Sequence, residues 1–206
     1  MTDMVKLWKL HIKKQMHQYL FPITFLYLFL LPYHMQLLTD MDEAGMVQVF
    51  DSAQKYLLLF EIWFQYLGFR MVLSPELKEA SYSCVKKIKG RWMLGNLCFS
   101  FLCFLPYALW MFFHCGTYYG NLLPVLVQCI IAAGMMYTVM YLLQSATGGM
   151  AVMVFYFFCC ASHVVPEPFR ILRLGILPLS CFPHWCMMLV ISIIVSFFVS
   201  LRILFM

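Results

Sequence analysis

The residues with the clearest capacity for chemistry lie in the second apolar stretch of the chain. Glu61 is the one acid deep inside that stretch, and Gln65 follows it by four residues, so both share one helix face. An ionisable group inside a membrane is costly, which makes it a functional candidate. Two interpretations stand side by side. Glu61 and Gln65 face a transport path or its gate, or Glu61 is protonated and hydrogen-bonded within the helix bundle.

The fourth apolar stretch carries a second group of polar-tipped side chains. Gln128, Tyr137 and Tyr141 either line a path or join neighbouring helices through hydrogen bonds, and the second interpretation is favoured.

Histidine and cysteine offer little chemistry in this sequence. Cys159, Cys160 and His163 are close in sequence, but adjacent helical residues point about 100° apart and no fourth ligand follows, so no metal site is predicted. His114 and Cys115 are sequential neighbours and make a poor nucleophile–base pair. The sequence also lacks the HExxH and GxSxG motifs. We therefore predict that the chain is not an enzyme and holds no cofactor of its own.

The composition sets the class of protein. Of 206 residues, 64% are hydrophobic and 11% charged, whereas soluble domains average roughly 45–50% and about 25%. This excludes a soluble enzyme, a disordered tail and a nucleic-acid-binding domain, and it predicts an integral membrane protein. The nine cysteines are an odd number scattered through apolar sequence, so a disulfide framework is not expected. A bond between Cys181 and Cys186 is left open.

The apolar stretches predict an all-α membrane protein with six transmembrane helices, because lipid offers no partner for open backbone groups. The predicted spans are residues 19–38, 56–72, 92–113, 121–143, 149–165 and 185–205.

The positive charges predict the orientation of these spans. Of the 14 Lys and Arg residues, 11 precede the first span, separate the second from the third, or end the chain. The loop after the first span instead carries acidic residues. We expect a multi-pass protein of the plasma membrane with both termini in the cytoplasm.

Two further segments are expected to lie at the membrane surface. Residues 1–18 contain a predicted interfacial helix, in which Trp8 and Ile12 share an apolar face beside a basic face, so membrane lipid is an expected partner. Residues 166–184 carry four prolines in an apolar stretch and predict a re-entrant element before the last span.

Residues 74–90 are the most informative stretch. Ser74 and Pro75 suit a helix start, Glu76 and Glu79 suit the positive end of its dipole, and a run of lysines precedes Gly90, which suits its end. This predicts a short cytoplasmic helix between the second and third spans. Its narrow apolar stripe, which suits a protein partner, comprises Leu77, Ala80, Cys84 and Ile88.

This layout resembles the membrane subunit of a type-2 ABC exporter, the ABC-2 permease family. The stretches that carry the resemblance read VKLWKLHIKKQMHQY, SPELKEASYSCVKKIKG and VVPEPFRILRLGILPLSCFP. They correspond to an interfacial helix, a coupling helix and a re-entrant element. The resemblance implies a second permease copy, identical or related, and a separate ABC ATPase. This ATPase would dock on the 75–89 helix and the N-terminal helix and would bind ATP and Mg²⁺. The chain itself lacks a GxxxxGK[ST] loop.

Other functions remain open at this stage. The substrate-binding subunit of a vitamin importer is also small and six-spanning, but the first span lacks the AxxxA spacing that would favour it. A small membrane enzyme would need a convergent polar triad, and an assembly or immunity protein is a further alternative. An amphipathic cargo (a peptide, lipid or drug) fits the aromatic-rich, nearly uncharged spans. The sequence leaves open its identity, the direction of transport and the choice between homodimer and heterodimer.

Overall fold

The computed structural model describes residues 9–39, 43–73, 89–115, 120, 122–166 and 170–171, and within these ranges the chain is helical without strands. A short helical segment at residues 9–14 precedes five longer helices. These are α1 (Met16–Thr39), α2 (Glu43–Val72), α3 (Lys89–His114), α4 (Leu122–Leu143) and α5 (Ala146–Ala161).

The protein is a membrane protein by the length and composition of its helices. Within the described ranges, α1, α4 and the Trp92–His114 part of α3 are long and apolar enough to cross a membrane. Large apolar side chains such as Phe29, Leu102 and Phe155 are exposed on the outside of the bundle. This exterior suits lipid. The first, third and fourth predicted spans are confirmed as helices, and the sixth lies outside the described residues.

Helix α2 forms the centre of the bundle and contacts each of the other four helices. The prediction that it begins near Tyr56 is wrong, because the helix begins at Glu43. The added turns contain Asp51 and Lys55, which lower the local hydropathy. These two charges pair with each other, so the helix continues through them.

Helix α1 contains a π-helical turn over Leu26–Leu30. Pro32 has no backbone N–H, so it cannot donate to the carbonyl of Leu28 as an α-helical residue would. The Leu31 N–H bonds instead to the carbonyl of Leu26. The hydrogen-bond register therefore shifts by one residue in the middle of α1.

Helix α5 is shifted from the predicted fifth span at 149–165. The Ser145 side chain caps its start by accepting a hydrogen bond from the Gly148 N–H at 3.1 Å. His163, with φ of 60°, follows its end, and Arg170 donates to the Val165 carbonyl. At 16 residues, α5 is shorter than the roughly 20 that a perpendicular span needs.

Several predicted elements lie outside the described residues. They are Trp8, most of the coupling helix (with Pro75, Glu76, Leu77, Glu79, Ala80, Cys84 and Ile88), most of the re-entrant segment, and Cys181 and Cys186. The prediction that Gly90 ends the coupling helix is wrong, since Lys89 and Gly90 are the first residues of α3.

The two ends of the bundle differ in charge. We call the end where α1 leads into α2 the hairpin end. We call the end where α2 finishes and α3 begins the basic end, since residues 9–14 and Arg70 bring positive charge to it.

Candidate functional site along helix α2

Glu61 lies at the interface of α2 and α3 and is completely buried. Its Oε1 accepts a hydrogen bond from Gln65 Nε2 at 2.7 Å, as the spacing of four predicts. Its Oε2 lies 2.5 Å from the hydroxyl of Ser100 on α3. The carboxyl group is thus held from both helices inside this chain.

The partners of Ser100 indicate how the protons around Glu61 are arranged. The Ser100 Oγ also lies 2.9 Å from the carbonyl of Leu97, yet a hydroxyl has only one proton to donate. A protonated Glu61 that donates to Ser100, which then donates to Leu97, gives the carboxyl group, the hydroxyl and the carbonyl a partner each. This arrangement supports the interpretation in which Glu61 is neutral and bonded within the bundle.

Gln128 joins α4 to α2. Its Oε1 accepts a hydrogen bond from Gln54 Nε2 at 2.7 Å, and both side chains are buried. Gln54 Oε1 and Gln128 Nε2 find no partner within the described part of the chain. A hydrogen bond between two side-chain amides therefore connects α4 to α2.

Tyr137 and Tyr141 lie further along α4, towards the basic end. Both are buried, and both pack edge-on against Phe69 of α2, with ring centroids 5.5 Å and 5.9 Å away. In this chain they contribute to helix packing.

A hydrogen-bonded chain of three side chains connects three helices near the hairpin end. Ser52 Oγ of α2 lies 2.6 Å from Nε2 of His34 in α1, and Nδ1 of the same ring lies 2.7 Å from the hydroxyl of Tyr107 in α3. His34 and Tyr107 are fully buried. No spacing rule connects these positions, because each belongs to a different helix, so the sequence gives no signal for them.

An open cleft of about 460 Å³ lies between α1 and α2, next to Ser52. Within it, Lys55 Nζ contacts Asp51 Oδ2 at 2.7 Å. Sequence reasoning missed this pair as a site because it placed both residues in a loop. The one available signal was their spacing of four, which favours a helical ion pair. The cleft is lined by Phe25, Phe29, Leu30, Tyr33, Gln48, Asp51, Ser52, Lys55 and Tyr56.

At the basic end, two side chains form hydrogen bonds to backbone carbonyls in the last turns of α2. His11 Nε2 lies 3.0 Å from the carbonyl of Leu67, and Trp92 Nε1 donates to the carbonyl of Gly68 at 2.9 Å. Helix α3 approaches so closely that a Cβ on Gly68 would lie 1.5 Å from Asn96 Nδ2. We call this set of contacts the basic-end junction.

His11 is buried in this junction, in the segment that precedes α1. Burial lowers the pKa of His11 below its ordinary value of 6.5, and nearby Lys14 lowers it further, while the bond to the Leu67 carbonyl raises it. The neutral imidazole is thus the form that suits the folded junction. Ile12, predicted to face the membrane, instead packs partly against the core.

The cysteines offer no cross-link among the described residues, where all six are free thiols. No group of three or more metal-ligating side chains lies together in the described ranges either.

No protein-family model matches this chain, and no curated protein or solved structure is significantly similar to it.

Proposed function

We propose that this chain is the permease subunit of an ATP-driven exporter. Two copies, identical or related, would frame a path for an amphipathic substrate across the plasma membrane. A separate ABC ATPase would bind ATP and Mg²⁺ and dock on the cytoplasmic side. The six spans, the coupling helix and both cytoplasmic termini belong to this proposal.

The basic-end junction is the observation that carries it. Residues 74–88 connect α2 to α3, and the ends of these helices are bonded through Trp92 and Gly68. His11 connects the N-terminal segment to the same end of α2 through its hydrogen bond with the Leu67 carbonyl. A force applied to the connecting segment would therefore reach α2, which contacts every other described helix. A packed unit of this kind moves as a rigid body between discrete states.

The sequence of the connecting segment supplies the second support. Its capped start, basic tail and apolar stripe suit a helix that presents one face to a protein. Under this proposal the ATPase is a separate chain, since this sequence contains no phosphate-binding loop.

The test is purification of the tagged full chain from its native membrane in mild detergent. We expect an ATPase with a GxxxxGK[ST] loop in stoichiometric amount. Leu77→Glu and Ile88→Glu place charge on the stripe and should reduce recovery of the ATPase about tenfold, equivalent to ~1.4 kcal/mol. Ser83→Glu, on another face of the predicted helix, is the matched control and should retain the ATPase. Equal loss in all three variants, or no ATPase with wild type, would refute the proposal.

A second candidate function, an intramembrane hydrolase, is favoured by one observation. His34 lies within hydrogen-bonding distance of a serine hydroxyl on one side and of Tyr107 on the other. In such an arrangement the imidazole takes the serine proton while the third group orients the ring. Against this, Ser52 Oγ also bonds to the Gln48 carbonyl at 2.6 Å. That bond occupies the proton which His34 would have to remove.

A fluorophosphonate probe, which labels activated serines covalently, tests the hydrolase directly. Labelling of the wild-type chain that disappears in Ser52→Ala, but persists in Ser162→Ala, would establish an activated serine. We expect no labelling of the wild-type chain or of the two variants, because the exporter proposal needs no nucleophile.

A further inference from the structure

The cleft between α1 and α2 joins an apolar wall to a pair of charges. On the α1 side, Phe25 stacks on Phe29 with centroids 5.6 Å apart, and Phe25 also contacts Tyr56 at 5.3 Å. On the α2 side lies the ion pair of Asp51 and Lys55. We propose that this cleft binds a zwitterionic phospholipid, with its headgroup on the ion pair and its acyl chain along the aromatic wall.

The position of the cleft explains why it needs an occupant. Tyr33 and Phe25 line it at roughly 9 Å and 21 Å along the axis of α1 from Thr39, at about 1.5 Å per residue. Helix α1 is long and apolar enough to cross a membrane, so we expect the cleft on this helix to face lipid. The side chains of Lys55 and Asp51 are 38% and 25% exposed there. Charges that face hydrocarbon are costly unless a polar group covers them.

The unused bonding capacity of the pair defines the polar part of the ligand. Lys55 has three N–H donors, and the one hydrogen bond seen for it uses only one of them. Asp51 Oδ1 is buried and has no hydrogen-bonding partner in the described part of the chain. The ammonium of Lys55 can therefore donate to a phosphate, while the negative charge of Asp51 attracts the quaternary ammonium of a choline headgroup, which has no N–H to donate.

The net charge of the pair selects among lipids. Asp51 and Lys55 cancel, so a zwitterion leaves the cleft neutral, whereas an anionic lipid leaves one uncompensated charge in a low-dielectric place. The π turn of α1 contributes to the shape, because Phe29 and Leu30 belong to it and line the cleft. Turns of this type occur often at functional sites.

The test titrates the purified full chain in detergent with phosphatidylcholine or phosphatidylglycerol of the same acyl chains, and native mass spectrometry counts bound lipids. We expect the first phosphatidylcholine to bind about tenfold more tightly than phosphatidylglycerol. Lys55→Met removes the donors to the phosphate and should weaken binding of both lipids, while the unpaired Asp51 keeps the preference for phosphatidylcholine. Asp51→Asn leaves Lys55 unpaired and should reverse the preference in favour of phosphatidylglycerol. Such a reversal is a gain of binding that a misfolded chain would not show.

Lys13→Met, at the basic end, is the matched control and should leave phosphatidylcholine binding unchanged. Equal binding of both lipids by the wild type, or an unchanged preference in Asp51→Asn, would overturn the proposal. A dimer mass without bound lipid would overturn it as well, since a second copy would then cover the cleft. A phospholipid that is transported from this cleft would be the substrate of the proposed exporter. Lipid binding is measured on this chain alone. Failure to recover an ATPase would therefore contradict the exporter proposal without affecting the proposed lipid site.

Discussion

At the scale of single residues, α2 owes its place in the bundle to polar side chains that each find a partner on another helix. Ser52 bonds to α1, Gln54 to α4, and Glu61 to α3. A buried polar group stabilises only when it is bonded, and its loss leaves its partner unsatisfied. The effect of a substitution on stability should therefore depend more on whether the new side chain can form the same hydrogen bonds than on its charge.

Glu61 gives the sharpest case. Glu61→Gln keeps an acceptor for Gln65 and keeps a donor for Ser100, so we expect the free energy of unfolding to change by less than about 1 kcal/mol. Glu61→Ala removes both bonds and leaves a cavity, which should cost about 2–5 kcal/mol. Thermal unfolding in detergent measures both. If Glu61→Gln destabilised as much as Glu61→Ala, the neutral, bonded interpretation would be wrong.

His11 makes the basic-end junction sensitive to pH. Because burial lowers its pKa in the folded state, the unfolded chain binds more protons below about pH 6.5, and stability falls as the pH drops through that value. We expect the hydrogen-exchange protection factors of residues 9–14, which are corrected for the intrinsic pH dependence of exchange, to fall between pH 7.5 and pH 5.5. In His11→Gln this pH dependence should be largely lost. Identical pH profiles in the two proteins would contradict the junction as described.

At the scale of elements, the close contact of α2 and α3 depends on one glycine. A methyl group on Gly68 would collide with the Asn96 amide, so Gly68→Ala should destabilise the protein by about 1–3 kcal/mol. Gly120→Ala is the matched control, because nothing lies within 4 Å of its added Cβ. A comparison of the two unfolding midpoints tests this contact, and equal midpoints would show that the helices are not so close.

The sequence predicted the elements where hydropathy alone decides. Helices α1, α3 and α4 begin and end within about three residues of the predicted spans, because their apolar runs are bounded by polar residues. The start of α2 was missed because charged and amide side chains look like a loop in a single sequence. In the folded chain Asp51 and Lys55 pair with each other, and Gln54 forms a hydrogen bond to α4. The partnership of Glu61 and Gln65 was predictable, since both lie on one helix.

The rest of the candidate site depends on contacts between helices. His34, Ser52 and Tyr107 meet only after three helices pack, and the cleft beside Ser52 forms only when α1 and α2 lie side by side. No local pattern encodes such contacts. They follow from which faces of the helices meet.

At the scale of the whole molecule, the distribution of charge predicts the orientation. The basic end should lie in the cytoplasm, because positively charged loops are retained there. We expect alkaline phosphatase to be active when fused within residues 40–42, and green fluorescent protein to fluoresce when fused after residue 206. The opposite pattern would place the connecting segment 74–88 outside the cell, where no ATPase could reach it.

The central claim is that this connecting segment docks on an external ATPase. A photo-reactive amino acid placed at position 77 of the full chain, in native membranes, tests it most directly, with position 83 as the control. We expect a cross-link from position 77 to an ATPase that carries a phosphate-binding loop, and a much weaker one from position 83. Cross-links from position 77 only to lipid or to the helices of this same chain would contradict it.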